Sequence, residues 1–195
     1  MSTAWTGRAA SPSDMKVTIK ELTADDLDQP ILIDDRFTVD SVLCLYTEGN
    51  SIRYSIKAIP AYEKRYPEEP DDPLDLEEYL NRPDQIVYVA DVEGTIAGLV
   101  AVKQNWNQYA YVDDIKVDNA YRRHGIGRML MDEVQEWARR KGLAGVMLET
   151  QNNNVGACGF YERYGFVIGG FDLHLYRGID HDTDEFAIYW YLFLE

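Results

Sequence analysis

What this chain lacks narrows it first. Two cysteines, Cys44 and Cys158, are too few for a disulfide framework. Three histidines, His124, His174 and His181, show no metal-ligand spacing, so no metal is expected. No apolar run approaches the roughly 20 residues of a membrane span, and Met1 to Ser13 holds no apolar signal stretch. A cytoplasmic protein without a membrane partner is expected. Basic residues are scarce, 19 against 34 acidic, for a formal net charge of −15. That charge argues against nucleic acid, whose phosphates it would repel, and favours a cationic partner, which a negative cleft concentrates. No Gly-x-Ser-x-Gly elbow of a serine hydrolase occurs, nor any internal repeat. The length of 195 residues suits one core. The expected organisation is a loose tail over residues 1–15 and a single domain over residues 16–195, with a homodimer left open.

What is there centres on Tyr121-Arg122-Arg123-His124-Gly125-Ile126-Gly127-Arg128. A strand-like run, Tyr111 to Val117, precedes it, and a long amphipathic pattern follows. Strand, glycine-punctuated basic turn and helix aim backbone N–H groups and a helix dipole at one spot, which suits a phosphate or pyrophosphate. A nucleotide P-loop needs Lys-Ser or Lys-Thr after the glycines, and none follows. A dinucleotide fingerprint needs a third glycine or alanine where Leu130 stands.

Hydrophobic patterning supplies the frame. Val17 and Ile19 alternate with polar neighbours as a short strand, and Thr23-Ala24-Asp25-Asp26 reads as a helix start. Ser41–Thr47 and Ser51–Ile59 read as a hairpin around Glu48-Gly49-Asn50. Pro60 to Pro83, with five prolines, reads as an exposed loop carrying a short helix near Leu74–Leu80. A second hairpin joins Ile86–Val92 to Thr95–Gln104, and Asn105–Gln108 turns the chain into the strand ending at Val117. Ile126, Met129, Leu130, Glu133, Val134, Trp137 and Lys141 recur at helical spacing, and Gly142 caps that helix. A strand at Gly145–Thr150, a helix at Asn154–Tyr164 and a β-like stretch at Phe186–Leu194 follow. The sum is an α+β domain on a mixed, mainly antiparallel central sheet flanked by helices.

Two motifs carry a family resemblance. Arg122-x-x-Gly125-x-Gly127 resembles the acetyl-coenzyme A pyrophosphate loop of the GNAT family of N-acetyltransferases. Asn154-Val155-Gly156-Ala157, then Tyr161 and Gly165-Phe166, resembles that family's second signature, in the family's order. The resemblance implies acetyl-coenzyme A as co-substrate. Backbone groups of Ile115 and Val117 would pair with the pantetheine arm. Arg122, Arg123, His124, Gly125, Ile126, Gly127 and Arg128 would form the pyrophosphate cradle. Asn154 would reach the pantetheine, and Tyr161 would serve as general acid beside the sulfur. A phenol with a pKa of about 10 stays protonated at neutral pH, as that role requires. Cys158, in the same helix, reads as a small apolar core residue.

Acetyl transfer also needs a neutral amine, and so a proton acceptor. Strict alternation along Tyr111–Val117 sets Asp113 on the face of Ile115 and Val117, and Asp114 on the other. An acid among apolar neighbours needs a reason, so Asp113 is the preferred base. Glu149, near the end of the next strand, is a second candidate, and a water relay is a third. Further segments, Asn105-Trp106-Asn107, Leu148–Cys158, Gly169–Leu173 and Glu185–Tyr191, resemble streptothricin acetyltransferases, which modify an amine on a β-lysine-bearing antibiotic. The resemblance implies a small polycationic acceptor cradled by Asp113, Glu149 and Asp172, with Trp106 or Tyr176 as walls. The alternatives are another amine (a polyamine, an aminoglycoside or a protein N-terminus) and a non-catalytic acetyl-coenzyme A sensor.

Overall fold

The computed structural model describes residues 15–28, 30–65 and 75–194. Residues 1–14 of the expected N-terminal tail and residues 66–74 of the acidic proline-rich stretch lie outside them. Nine strands are described: β1 (Val17–Glu21), β2 (Phe37–Glu48), β3 (Ser51–Lys64), β4 (Gln85–Val92), β5 (Thr95–Gln104), β6 (Tyr109–Val117), β7 (Gly145–Gln151), β8 (Val167–Asp172) and β9 (Ala187–Phe193). Helices α1 (Leu76–Tyr79), α2 (Ile126–Arg140) and α3 (Val155–Tyr164) accompany them. Seven strands form one sheet in the order β1-β4-β5-β6-β7-β9-β8, and β2 and β3 form a separate hairpin. β6 and β7 run parallel, while the other neighbours are antiparallel. The expected fold class is therefore met.

The sheet has two unequal faces. On one, α2 and α3 bury Leu130, Val134, Trp137 and Tyr161 against Val100, Val102, Val112, Leu148 and Trp190. Each such aliphatic side chain contributes about 1.5–3 kcal/mol of transfer energy. On the other, Val87, Val89, Leu99 and Ala101 are covered by Leu22, Ile31, Ile33 and Tyr79.

Local chemistry explains most boundaries and several departures from expectation. Asp75 caps α1 by accepting the Glu77 N–H at 3.0 Å. Gly165 ends α3 in the left-handed region at φ 119°, where a Cβ is disfavoured. The start at Thr23 yields only a 3-10 turn, Ala24–Leu27. β3 runs through Pro60 to Lys64, because the β2–β3 register shifts between Val39 and Ser41, opposite that proline, and a shifted ladder tolerates the missing N–H. In α2 the buried methionine is Met131, at 0% exposure, beside Leu130, so the apolar stripe is wider than the Met129 spacing implied. β8 carries two glycines and escapes pattern reading. A Cβ on Gly169 would overlap the Tyr191 ring, so glycine is required where β9 passes.

Candidate active site

Parallel β6 and β7 stay paired only from Tyr109↔Gly145 to Val112↔Leu148. Beyond that, β6 continues to Val117 and β7 to Gln151 without sharing a ladder. A cleft of about 760 Å³ lies at this parting. Ile115 and Val117 line it from β6, Arg122, Arg123, Gly125, Ile126, Gly127 and Arg128 from the loop and α2, and Asn154 and Tyr161 from α3. Arg123 and Gly125 both take left-handed conformations, φ 67° and 81°. Such alternation curls successive N–H groups into an anion-binding nest just where α2 starts.

Two basic residues are used differently from expectation. The Arg122 guanidinium donates to the carbonyl oxygens of Val117 (3.1 Å), Arg36 (2.7 Å) and Asp35 (2.7 Å). It fastens the segment before β2 across the loop, so Asp35, Phe37 and Thr38 also line the cleft. His124 is exposed, with its Nδ1 3.2 Å from the Tyr121 carbonyl oxygen, and its side chain does not line the cleft. Any part it has in the cradle is through its backbone.

On α3, Asn154 caps the helix by accepting the Ala157 N–H at 3.1 Å. Tyr161 is 5% exposed, with rings of Phe160 (5.3 Å), Phe166 (5.5 Å) and Trp190 (6.2 Å) around it. Its phenol thus sits in a stiff aromatic setting at the cleft wall. Tyr164, in the same wall, donates to Asp132 on α2 at 2.6 Å. Cys158 is 2% exposed, and burial pushes its thiol up to about 11. It is protonated at neutral pH, which agrees with a packing role.

The carboxylates lie on the face opposite α2 and α3. Here simple alternation fails. β5 pairs Ala101 with Asp114 but Val102 with Val112, so Asp113 is the extra residue of a bulge. The bulge turns Asp113 away from the Ile115 face and beside Asp114. Asp113 accepts the Tyr79 hydroxyl and pairs with the Lys103 ammonium at 2.6 Å. The expectation that Asp113 shares a face with Ile115 and Val117 is corrected accordingly. Asp114 pairs with Lys116 at 2.9 Å.

Glu149 shares this face. It stands opposite Tyr189 in the β7–β9 ladder and accepts the Tyr176 hydroxyl. Burial raises its carboxyl above the ordinary range, and the Tyr176 hydrogen bond opposes that shift. The Tyr111 phenol is pushed up to about 12, chiefly by burial and further by Glu149 and Asp113. Tyr111 therefore senses the charge of both carboxylates. Asp172, at the end of β8, raises the Tyr189 phenol alongside burial and Glu149, and accepts the His174 N–H at 2.8 Å. Trp106 is not brought to this cluster. It is 87% exposed in the turn before β6, and the strand from Tyr109 to Asp113 alone spans about 13 Å. Sequence reasoning missed Tyr79, Lys103, Tyr111 and Tyr189. Only the bulge and the ladder register reveal them, and neither leaves a local motif.

Residues 54–166 match the model of the acetyltransferase (GNAT) family. The chain is 36% identical over 130 residues to "Streptothricin acetyltransferase A" of Bacillus subtilis (strain 168), covering 67% of this chain and 72% of that one. It is 30% identical over 180 residues to the streptothricin acetyltransferase of Escherichia coli, covering 92% and 96%. Among solved structures, one from Bacillus anthracis str. Ames, assigned as a streptothricin acetyltransferase and in complex with acetyl coenzyme A, superposes with a TM-score of 0.86 at 46% identity, covering 92% of this chain and 100% of that one.

Proposed function

The chain belongs to the GNAT family of acetyltransferases, and from that premise we propose that it moves an acetyl group from acetyl-coenzyme A to the β-lysine amine of streptothricin, conferring resistance to that antibiotic. The observation that carries the reading is the division of the site. A nest-forming basic loop and a buried tyrosine border one cleft, and carboxylates and phenols gather on the sheet face behind it. The first suits a pyrophosphate-bearing thioester, and the second suits an alkylammonium ion.

Each residue then has a task. Backbone N–H groups of Arg123 to Arg128 hold the pyrophosphate at the start of α2. Ile115 and Val117, beyond the end of the β6–β7 ladder, offer backbone groups to the pantetheine arm. The acceptor arrives as an ammonium and is drawn to Glu149, whose carboxylate takes a proton from it directly or through water. A raised carboxyl pKa makes that acceptance easier. The freed nitrogen lone pair bonds the thioester carbon, the carbon–sulfur bond breaks, and the Tyr161 hydroxyl supplies a proton to the departing thiolate. Tyr176 and Tyr189 wall the ammonium. Asp172 adds negative charge at the rim, and Arg122 positions the loop. Residues 16–195 act as one catalytic domain.

The test is thiol release from acetyl-coenzyme A with streptothricin, spermine, an aminoglycoside and a neutral peptide in parallel, with mass spectrometry of the products. The expected result is preferred turnover of streptothricin with one acetyl group on its β-lysine moiety. Preference for any of the other three overturns the acceptor assignment.

A further inference from the structure

Two of the carboxylates on the acceptor face, Glu149 and Asp113, are answered differently. Glu149 accepts the neutral Tyr176 hydroxyl, and among the described residues no lysine or arginine pairs with it. Asp113 carries a cation already. Lys103 stands directly opposite Tyr111 in the β5–β6 ladder. Its Nζ lies 2.6 Å from the Asp113 carboxylate and 5.6 Å from the centroid of the Tyr111 ring. The Tyr79 hydroxyl satisfies Asp113 from another side. A carboxylate and an aromatic face together form a seat for an alkylammonium ion. The chain's own lysine fills it.

We propose that Lys103 is a specificity-determining residue: its ammonium occupies the Tyr111–Asp113 seat, restricts the incoming amine to Glu149 and holds off a second cationic group of the acceptor. This rests on the acceptor reading above and deepens it. Tyr111 stands opposite Met147 in the β6–β7 ladder, two residues before Glu149 on the same face of β7, so the filled seat adjoins Glu149. A cation there repels a polycation at short range, where screening by salt is incomplete. The Lys103 side chain is 46% exposed, so its replacement should leave the core intact.

The experiment compares Lys103→Met and Lys103→Arg with the parent in steady-state kinetics on streptothricin at low and high salt. A second arm titrates 1,3-diaminopropane calorimetrically with coenzyme A present. Lys103→Met should lower the acceptor KM about three- to tenfold at low ionic strength, with the gap closing to within about twofold at 1 M salt, where the Debye length is about 3 Å. The KM for acetyl-coenzyme A should not move, and Lys103→Arg should keep the parent values. The diamine should bind Lys103→Met more tightly than the parent. An acceptor KM that stays or rises in Lys103→Met, an equal fall in Lys103→Arg, or equal diamine affinity in parent and Lys103→Met overturns the proposal. If the parent fails to acetylate streptothricin while the diamine still separates the variants, the acceptor assignment fails alone.

Discussion

Tyr161 and Cys158 stand three residues apart on α3, both nearly inaccessible, yet only the tyrosine faces the cleft as a lining residue. Tyr161→Phe keeps the ring contacts with Phe160, Phe166 and Trp190 and deletes one hydroxyl. We expect kcat to fall by about 10²- to 10⁴-fold, the range of a lost general acid, with little change in acetyl-coenzyme A affinity. An unchanged kcat in steady-state kinetics makes Tyr161 a packing residue. Glu149 tests the other proton. Its pKa is raised from 4.5 in the folded state. As a base it must be ionised, so kcat/KM should be full above that raised pKa and decline as pH falls through it. Glu149→Gln should abolish most turnover and remove that limb. The stability sign is opposite. Between 4.5 and the raised value the folded state binds more protons than the unfolded state, so stability falls as pH rises through that window. Glu149→Gln should therefore unfold at the same or a slightly higher temperature at neutral pH, which separates loss of catalysis from loss of fold. These two side chains were readable as candidates from type and position. Asp113 was misread because a bulge, set by pairing with β5, is invisible to a period-two count.

At the scale of elements, two glycines separate conformational strain from crowding. Gly125 is the N-cap of α2 at φ 81°, with no atom within 4 Å of where a Cβ would project. Gly125→Ala should cost only the left-handed penalty, about 1–2 kcal/mol, or roughly 2–8 °C in Tm for a chain of this size. Because that curl forms the nest, the thermal shift produced by acetyl-coenzyme A should shrink with it. Gly145, at the start of β7, has ordinary φ, but a Cβ there would overlap the Leu192 carbonyl oxygen of β9. Gly145→Ala must push the two strands apart and should cost at least as much, about 1–3 kcal/mol, with the acetyl-coenzyme A shift retained. Differential scanning fluorimetry with and without the ligand distinguishes the two patterns. Equal ligand shifts in both variants would remove the loop from the binding site. Helix α2 and the two β-hairpins were legible because their periodicity is local. β8 was not, since its Gly169 answers to Tyr191, twenty-two residues downstream.

Across the whole molecule, the net charge of −15 is unevenly spread. Lys116, Arg123, Arg128 and Arg163 line the cleft proposed for the anionic donor, while Asp113, Glu149 and Asp172 lie on the face proposed for the acceptor. The acceptor KM should rise several-fold between low and physiological salt, because a Debye length of about 8 Å screens a surplus of negative charge seen by a polycation. The acetyl-coenzyme A KM should vary less, since the local basic cleft and the acidic whole oppose each other. A salt-independent acceptor constant would mean that apolar contacts, not charge, recognise the amine.

The sequence by itself determined the family and its thioester co-substrate. Its Arg122-x-x-Gly125-x-Gly127 loop and its Asn154-to-Phe166 segment are each contiguous, so short-range chemistry sufficed to read the family and the α+β frame. The proposed acceptor side was decided in three dimensions. Lys103, Tyr111, Asp113, Glu149 and Tyr176 come from four separate segments, and what joins them is strand register: the β6 bulge, the early end of the β6–β7 ladder and the pairing of β7 with β9. Register is fixed by which faces bury apolar surface across the entire sheet, a long-range condition that no local window of residues contains.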